Sequence, residues 1–175
     1  INDRCGSTYL DVISKFVVEN KCHVGVAFDG DADRCLAVDE NGEEIDGDKI
    51  IAILATRMKA AGKLAKDTAV VTVMSNLGFM KHMEKRGIAT ATTAVGDRYV
   101  LEEMLAKGYN IGGEQSGHVI LSDFATTGDG QLTAVALLNN FAKEDKKVSE
   151  FNGCFSKYPQ VLINVKTTAE GKAFY

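Results

Sequence analysis

Three aspartates at alternate positions, Asp29, Asp31 and Asp33, follow the apolar stretch Val26-Ala27-Phe28. Arg34 closes the run directly before a second apolar stretch, Cys35-Leu36-Ala37-Val38. Carboxylates packed this densely repel one another unless a cation sits between them. All three are hard oxygen donors, so the expected ion is Mg2+, Mn2+ or Ca2+ and not zinc or copper. Gly30 and Ala32, between the ligands, are small enough for the loop to curl around an ion.

Other readings of the same residues compete with this one. Acidic loop residues are commonly solvated turn formers. In an EF-hand, Asp29, Asp31 and Asp33 would occupy the first three ligand positions and Glu40 the twelfth. That reading fails at the sixth position, which needs Gly and holds Arg34, and the flanks read as strands where helices are required. A haloacid-dehalogenase-type phosphatase also ends an apolar strand in Asp-x-Asp, and Asp29 would then be its nucleophile.

A second polar grouping lies at Gly112-Gly113-Glu114-Gln115-Ser116-Gly117-His118. Its glycines let the backbone approach a ligand closely, and its side chains supply donors and acceptors suited to sugar hydroxyls. Met74-Ser75-Asn76 and Val95-Gly96-Asp97-Arg98 join it as loops at strand ends. Asp97 also reads as a helix N-cap, and Arg98 as a solvated first-turn residue. Ser7, in Cys5-Gly6-Ser7-Thr8, reads as a helix cap in preference to a nucleophile, because no activating group lies nearby in sequence. His23 reads as structural, and no single lysine stands out.

The elements that must position these groups follow from periodicity. Ser7 or Thr8 is expected to cap a helix with Leu10, Ile13, Phe16 and Val17 on one face, ending near Asn20. The acidic loop then sits between two paired strands, and Asn41-Gly42 turns the second into a hairpin. Asp48 is expected to cap a helix through Ile50, Ile51, Leu54 and Met58 that stops at Gly62. Beyond it the chain alternates: strand 69–73, helix 77–86, strand 88–92, helix 97–107, and a short strand at Asn110-Ile111. Asp129 is expected to cap a further helix or close the loop before it, and not to ligate metal; a last helical piece surrounds Phe151 and Phe155, and Val161 to Val165 alternates like a strand. Strands separated by short amphipathic helices predict an α/β fold, a mixed, mainly parallel sheet with helices on both faces, whose ligands bind at the carboxyl ends of the strands.

Composition narrows the class. With 45% hydrophobic residues, 25% charged and one proline in 175 residues, the chain is an ordinary globular sequence. A net charge of −4 without a basic patch argues against nucleic acid as a partner. No apolar run reaches the ~20 residues a membrane span needs, and no signal-peptide pattern opens the chain. Cys5, Cys22, Cys35 and Cys154 lack metal or disulfide spacing and read as reduced thiols of a cytoplasmic protein. The chain opens without Met and stops abruptly at Tyr175, which reads as the middle of something longer.

Together, Asp29-Gly30-Asp31-Ala32-Asp33-Arg34 and Gly113-Glu114-Gln115-Ser116-Gly117-His118 resemble the metal-binding and sugar-binding loops of the alpha-D-phosphohexomutase superfamily. Val95-Gly96-Asp97-Arg98-Tyr99-Val100, Thr127-Gly128-Asp129-Gly130 and Cys5-Gly6-Ser7-Thr8 fit its bacterial phosphoglucosamine mutases. The resemblance implies residues 1–45 as the end of a metal-binding second domain, 46–160 as a complete sugar-binding third domain, and 161–175 as the start of a connection to a fourth. It implies Mg2+ on Asp29, Asp31 and Asp33, and a phosphosugar substrate on Gly96, Asp97, Arg98, Glu114 and Ser116. Arg34 and His118 are then the catalytic candidates in this stretch. The implied reaction interconverts glucosamine 6-phosphate and glucosamine 1-phosphate through a phosphoserine and a bisphosphorylated sugar. The phosphoserine loop of the first domain and the phosphate clamp of the fourth have no counterpart here, so the piece alone is expected to be inactive. An unpaired sheet edge in the truncated second domain suggests a possible homodimer.

Overall fold

The computed structural model describes residues 5–161 and Ile163. Helix α1 (Asp11–Glu19) leads into a three-stranded antiparallel sheet of β1 (Val24–Phe28), β2 (Cys35–Asp39) and β3 (Glu44–Ile45). Gly42, at φ +81, makes the β2–β3 turn, and its N–H closes it on the Asp39 carbonyl. The acidic loop therefore joins two strands in antiparallel register, Phe28 opposite Cys35. Ser7 and Thr8 do not cap α1, contrary to expectation. The helix starts one turn later, at a Leu10 N-cap without side-chain bonding, while the Ser7 N–H donates to the Phe28 carbonyl at the head of the acidic loop. The expected apolar face is also incomplete: Val17 is buried, but Phe16 lies exposed.

Helix α2 (Gly47–Ala60) is capped by Asp46 and not by Asp48. The Asp46 side chain takes the Lys49 N–H at 3.0 Å, whereas Asp48 turns inward and accepts the Asn76 N–H at 2.7 Å. Asp46 bonds an otherwise unsatisfied helix donor, so the cap falls two residues before its expected place. Past a 3-10 turn at Ala65–Asp67 come β4 (Thr68–Thr72), α3 (Leu77–Lys85), β5 (Ala89–Thr93), α4 (Asp97–Lys107), β6 (Ile111–Gly113), β7 (Val119–Leu121), α5 (Gly130–Phe141) and α6 (Val148–Asn152). Asn76 caps α3, Asp129 caps α5 as expected, and Gly96, not Asp97, stands at the N-cap of α4.

The second sheet runs β5-β4-β6-β7, with β4 parallel to β5 and β6 and with β7 antiparallel to β6. The strand β7 was not anticipated, because three apolar residues between loops carry no readable period. Alternate residues feed opposite faces. Ala69, Val71, Ile111, Val119 and Leu121 enter a core with α2, α3 and α5, whereas Val70 and Ile120 meet Val100 and Met104 of α4. Helices thus cover both faces, as the alternating pattern required. The first sheet shares the larger core through Ala37 and Ile45. Of the strand expected over Val161 to Val165, all but Val161 and Ile163 lies outside the described residues.

Candidate functional site

One carboxylate oxygen each from Asp29, Asp31 and Asp33 lies within 4.8 Å of the other two. Ala32 adopts φ +60, and its N–H returns to the Asp29 carbonyl, which curls the loop inward. An octahedral ion with bonds of about 2.1 Å would need the three oxygens about 3 Å apart, a small closure from the observed spacing. The charges are already in conflict. Burial, followed by the neighbouring Asp29 carboxylate, raises the Asp33 carboxyl above its ordinary range. Burial pushes Asp29 the same way, but hydrogen bonds from the Asp33 carboxyl and the Arg34 N–H, with the Arg34 charge, outweigh it and hold Asp29 low. A divalent cation between the carboxylates would relieve this conflict. The donor set therefore fits a hard divalent ion.

Arg34 gives its backbone N–H to Asp29 Oδ1 at 3.1 Å, and its Nε lies 3.6 Å from Asp29 and 4.0 Å from Asp33. Its backbone also pairs antiparallel with His118, and the Cys35 N–H donates to the Gly117 carbonyl at 3.1 Å. These bonds lock the glycine-rich loop edge-on to the acidic loop. Gly117, at φ +96, permits the approach, because a Cβ there would strike the Cys35 carbonyl. The His118 side chain is only 5% exposed. Its Nε2 lies 3.6 Å from Asp33 and 3.9 Å from Asp97, and its ring packs where a side chain on Gly128 would otherwise sit. The ring thus faces the acidic loop, and Nδ1 has no hydrogen-bond partner among the described residues.

Glu114 accepts the Gly96 N–H at 3.1 Å, which ties the loop before α4 to the glycine-rich loop. Arg34, Glu114, Gln115 and Ser116 line one cleft of about 630 Å³, together with Ser7, Asp46, Val95 and Lys157. The expected residues Asp29, Asp31, Asp33, Arg34, Gly96, Asp97, Glu114, Ser116 and His118 thus converge on two adjoining loops and their immediate neighbours. Arg98 stands apart: its Nε bonds Glu102 at 2.7 Å along the outside of α4, and it does not line the cleft. Lys157 was missed. Its partners Asp46 and Glu44 lie far away in sequence, so no local pattern marks it.

The family model for phosphoglucomutase/phosphomannomutase, alpha/beta/alpha domain III, matches residues 46–158. The chain belongs to this family. It is 55% identical over 172 residues to a phosphoglucosamine mutase of Brevibacillus brevis, an alignment that covers 98% of this chain and 38% of that protein. It is 58% identical over 165 residues to a phosphoglucosamine mutase of Streptomyces griseus, covering 94% of this chain and 36% of that protein. The chain therefore spans a little over a third of the length of these relatives. Among solved structures it matches a phosphoglucomutase/phosphomannomutase family protein of Burkholderia thailandensis with a TM-score of 0.76 at 23% identity, over 89% of this chain and 33% of that one. It also matches Aspergillus fumigatus N-acetylphosphoglucosamine mutase in complex with GlcNAc-6P and magnesium, with a TM-score of 0.65 at 19% identity, over 91% of this chain and 38% of that one. At these identities the structural likeness establishes the fold. The calcium-module reading gives way because strands, not helices, flank the acidic loop. The phosphatase reading with Asp29 as nucleophile is likewise not favoured, since these relatives are mutases.

Proposed function

We propose that this chain supplies the metal-binding and sugar-binding loops of a longer phosphoglucosamine mutase that interconverts glucosamine 6-phosphate and glucosamine 1-phosphate. The observation that carries the reading is the bonding of the acidic loop to the glycine-rich loop through Arg34–His118 and Cys35–Gly117, so that Arg34, Glu114 and Ser116 share one cleft. Its volume suits a phosphorylated hexose. Mutase relatives above 50% identity support the same assignment. In this reading residues 1–45 close a metal-binding domain, 46–160 form the sugar-binding domain, and 161–175 lead toward another. The donor serine and a phosphate clamp come from other parts of the protein, and the 175 residues alone do not turn over.

Asp29, Asp31 and Asp33 would hold Mg2+, which supplies Lewis-acid neutralisation of a transferring phosphoryl group. Arg34 presents its guanidinium to the phosphate from beside those ligands. Glu114 and Ser116 accept and donate hydrogen bonds to sugar hydroxyls, with Gly96 fixing Glu114 through its N–H and Asp97 at the edge of that side; Arg98, turned outward onto Glu102, would reach the ligand only by leaving that partner. A phosphoryl group passes from the serine to the free hydroxyl, the bisphosphorylated sugar reorients, and its other phosphoryl group returns to the serine. His118, between Asp33 and Asp97, is placed to relay a proton near the metal loop. The proposed setting is cytoplasmic, in keeping with four free cysteines. The exposed edge of β1 is open to the rest of the metal-binding domain or to a second copy.

The test is an isomerisation assay on the full-length protein with Mg2+. Glucosamine 6-phosphate should be converted to glucosamine 1-phosphate, and Asp31→Asn should lower turnover at least about 100-fold. A full-length protein that is inert toward both sugars, or an Asp31→Asn variant at parental turnover, contradicts the reading.

A further inference from the structure

Lys157 lies in the segment that leaves α6, and side chains far from it in sequence pin that segment in place. Asn76 accepts the Tyr158 N–H on Oδ1 and donates through Nδ2 to the Tyr158 carbonyl, both at 2.9 Å. Gln160 donates to the Met74 carbonyl at 3.0 Å, and the Phe155 ring packs edge-on against Phe79 of the core. The backbone on either side of Lys157 is thereby fixed across the start of α3. Its ammonium is delivered to the cleft wall, 2.7 Å from Asp46 Oδ2 and 3.6 Å from Glu44 Oε2.

Asp46 is the pivot of this arrangement. Its side chain is only 3% exposed, and one oxygen is spent capping α2. The other receives both Lys157 and the Gln115 side-chain amide, the latter at 3.3 Å. The Gly47 N–H then donates to the Gln115 carbonyl at 3.0 Å, so Gln115 is gripped at its backbone and its side chain by consecutive residues. The Lys157–Asp46–Gln115 chain thus ends inside the glycine-rich loop, between Glu114 and Ser116. Burial works against the Lys157 charge, but the hydrogen bond and charge of Asp46, reinforced by Glu44, outweigh it and hold the ammonium protonated. Among the described residues, Lys157 and Arg34 are the basic side chains on the cleft wall, which also carries Glu44, Asp46 and Glu114.

We propose that Lys157 is a positioning and specificity residue for an anionic sugar phosphate: it neutralises Asp46 so that Asp46 can hold Gln115 and the glycine-rich loop, and it offsets the cleft carboxylates that would repel the ligand. The proposal rests on the phosphosugar reading of the cleft. Removing the ammonium leaves a buried carboxylate without its counter-charge, next to the loop that grips the sugar. The effect falls on binding, because the ion pairs of Lys157 among the described residues go to Asp46 and Glu44 and not to the acidic loop.

The test uses the full-length protein and two readouts, the dissociation constant for glucosamine 6-phosphate by calorimetry and the split between KM and kcat. Lys157→Met should weaken binding and raise KM about tenfold or more, with kcat changed less than about threefold. Lys157→Arg should recover to within about threefold, since the guanidinium keeps the charge and reaches the same carboxylate. Gln115→Ala removes only the far end of the chain of contacts. It should raise KM in the same direction, and combined with Lys157→Met it should add less than about twofold. Lys157→Met at parental affinity, a loss confined to kcat, no rescue by Arg, or full additivity with Gln115→Ala would each overturn the proposal. A parent that binds the phosphosugar without isomerising it defeats the mutase reading but leaves the Lys157 comparison readable. A parent that binds no phosphosugar defeats both.

Discussion

The acidic loop and the start of α2 each gather carboxylates, and they dispose of the charge in opposite ways. Asp29, Asp31 and Asp33 stand in a loop with partly accessible side chains, close enough together to hold an external divalent ion, with the Asp33 carboxyl pushed up by burial and by the Asp29 carboxylate beside it. Asp46 and Asp48 are buried. Asp46 is answered by Lys157, the helix N-terminus and Gln115, while burial raises the Asp48 carboxyl to about 6, against an ordinary 3.8. A carboxylate cluster that solvent can reach recruits a ligand, whereas one sealed in the fold must be neutralised by the fold itself. In the proposed reading the first awaits an ion, and the second braces the glycine-rich loop through Asp46 and Gln115.

Gly47→Ala breaks this comparison at its structural end. Alanine is favoured over glycine in a helix by about 1 kcal/mol, yet a Cβ at Gly47 would drive into the Glu114 carbonyl and the Gly117 N–H. The collision should prevail, with a net loss of about 2 kcal/mol in denaturant unfolding. A gain in stability would mean that α2 does not press on the loop.

Asp48→Asn sharpens the comparison with a smaller effect. A carboxyl whose folded pKa is raised stabilises the fold fully below its unfolded value near 3.8, and loses that contribution as pH climbs through about 6. The rise corresponds to about 3 kcal/mol that the folded chain forgoes at neutral pH. Asparagine keeps an oxygen for the Asn76 N–H and carries no charge. It should flatten the stability profile between about pH 4 and 6 and recover about 1 kcal/mol at pH 7.5. An unchanged profile in urea titrations at pH 5 and pH 7.5 would show that Asp48 is not the group responsible.

The same contrast explains what could be read from the sequence. The acidic loop was legible because its carboxylates, small spacers and flanking strands form one continuous run from Val24 to Asp39. The alternation of strands and helices from β4 to α4 was legible for the same reason, since a glycine, Gly87 or Gly108, closes each helix. Asp46, Asp48 and Lys157 were not. Which of two nearby aspartates caps α2 depends on Asn76 claiming the other, and nothing near Lys157 announces a carboxylate across the fold. The strand β7 was too short for its pattern to show, and α1 lost its expected cap because Ser7 is buried with its N–H tied to the Phe28 carbonyl at the head of the acidic loop.

The central claim is that three aspartates of one loop grip a divalent ion beside the sugar-binding loop. A crystal structure of the full-length protein grown with Mg2+ tests it most directly. The account predicts one ion bonded at about 2.1 Å to a carboxylate oxygen from each of Asp29, Asp31 and Asp33, with the Arg34–His118 pairing intact. An ion held elsewhere, or by only one of the three, would contradict it.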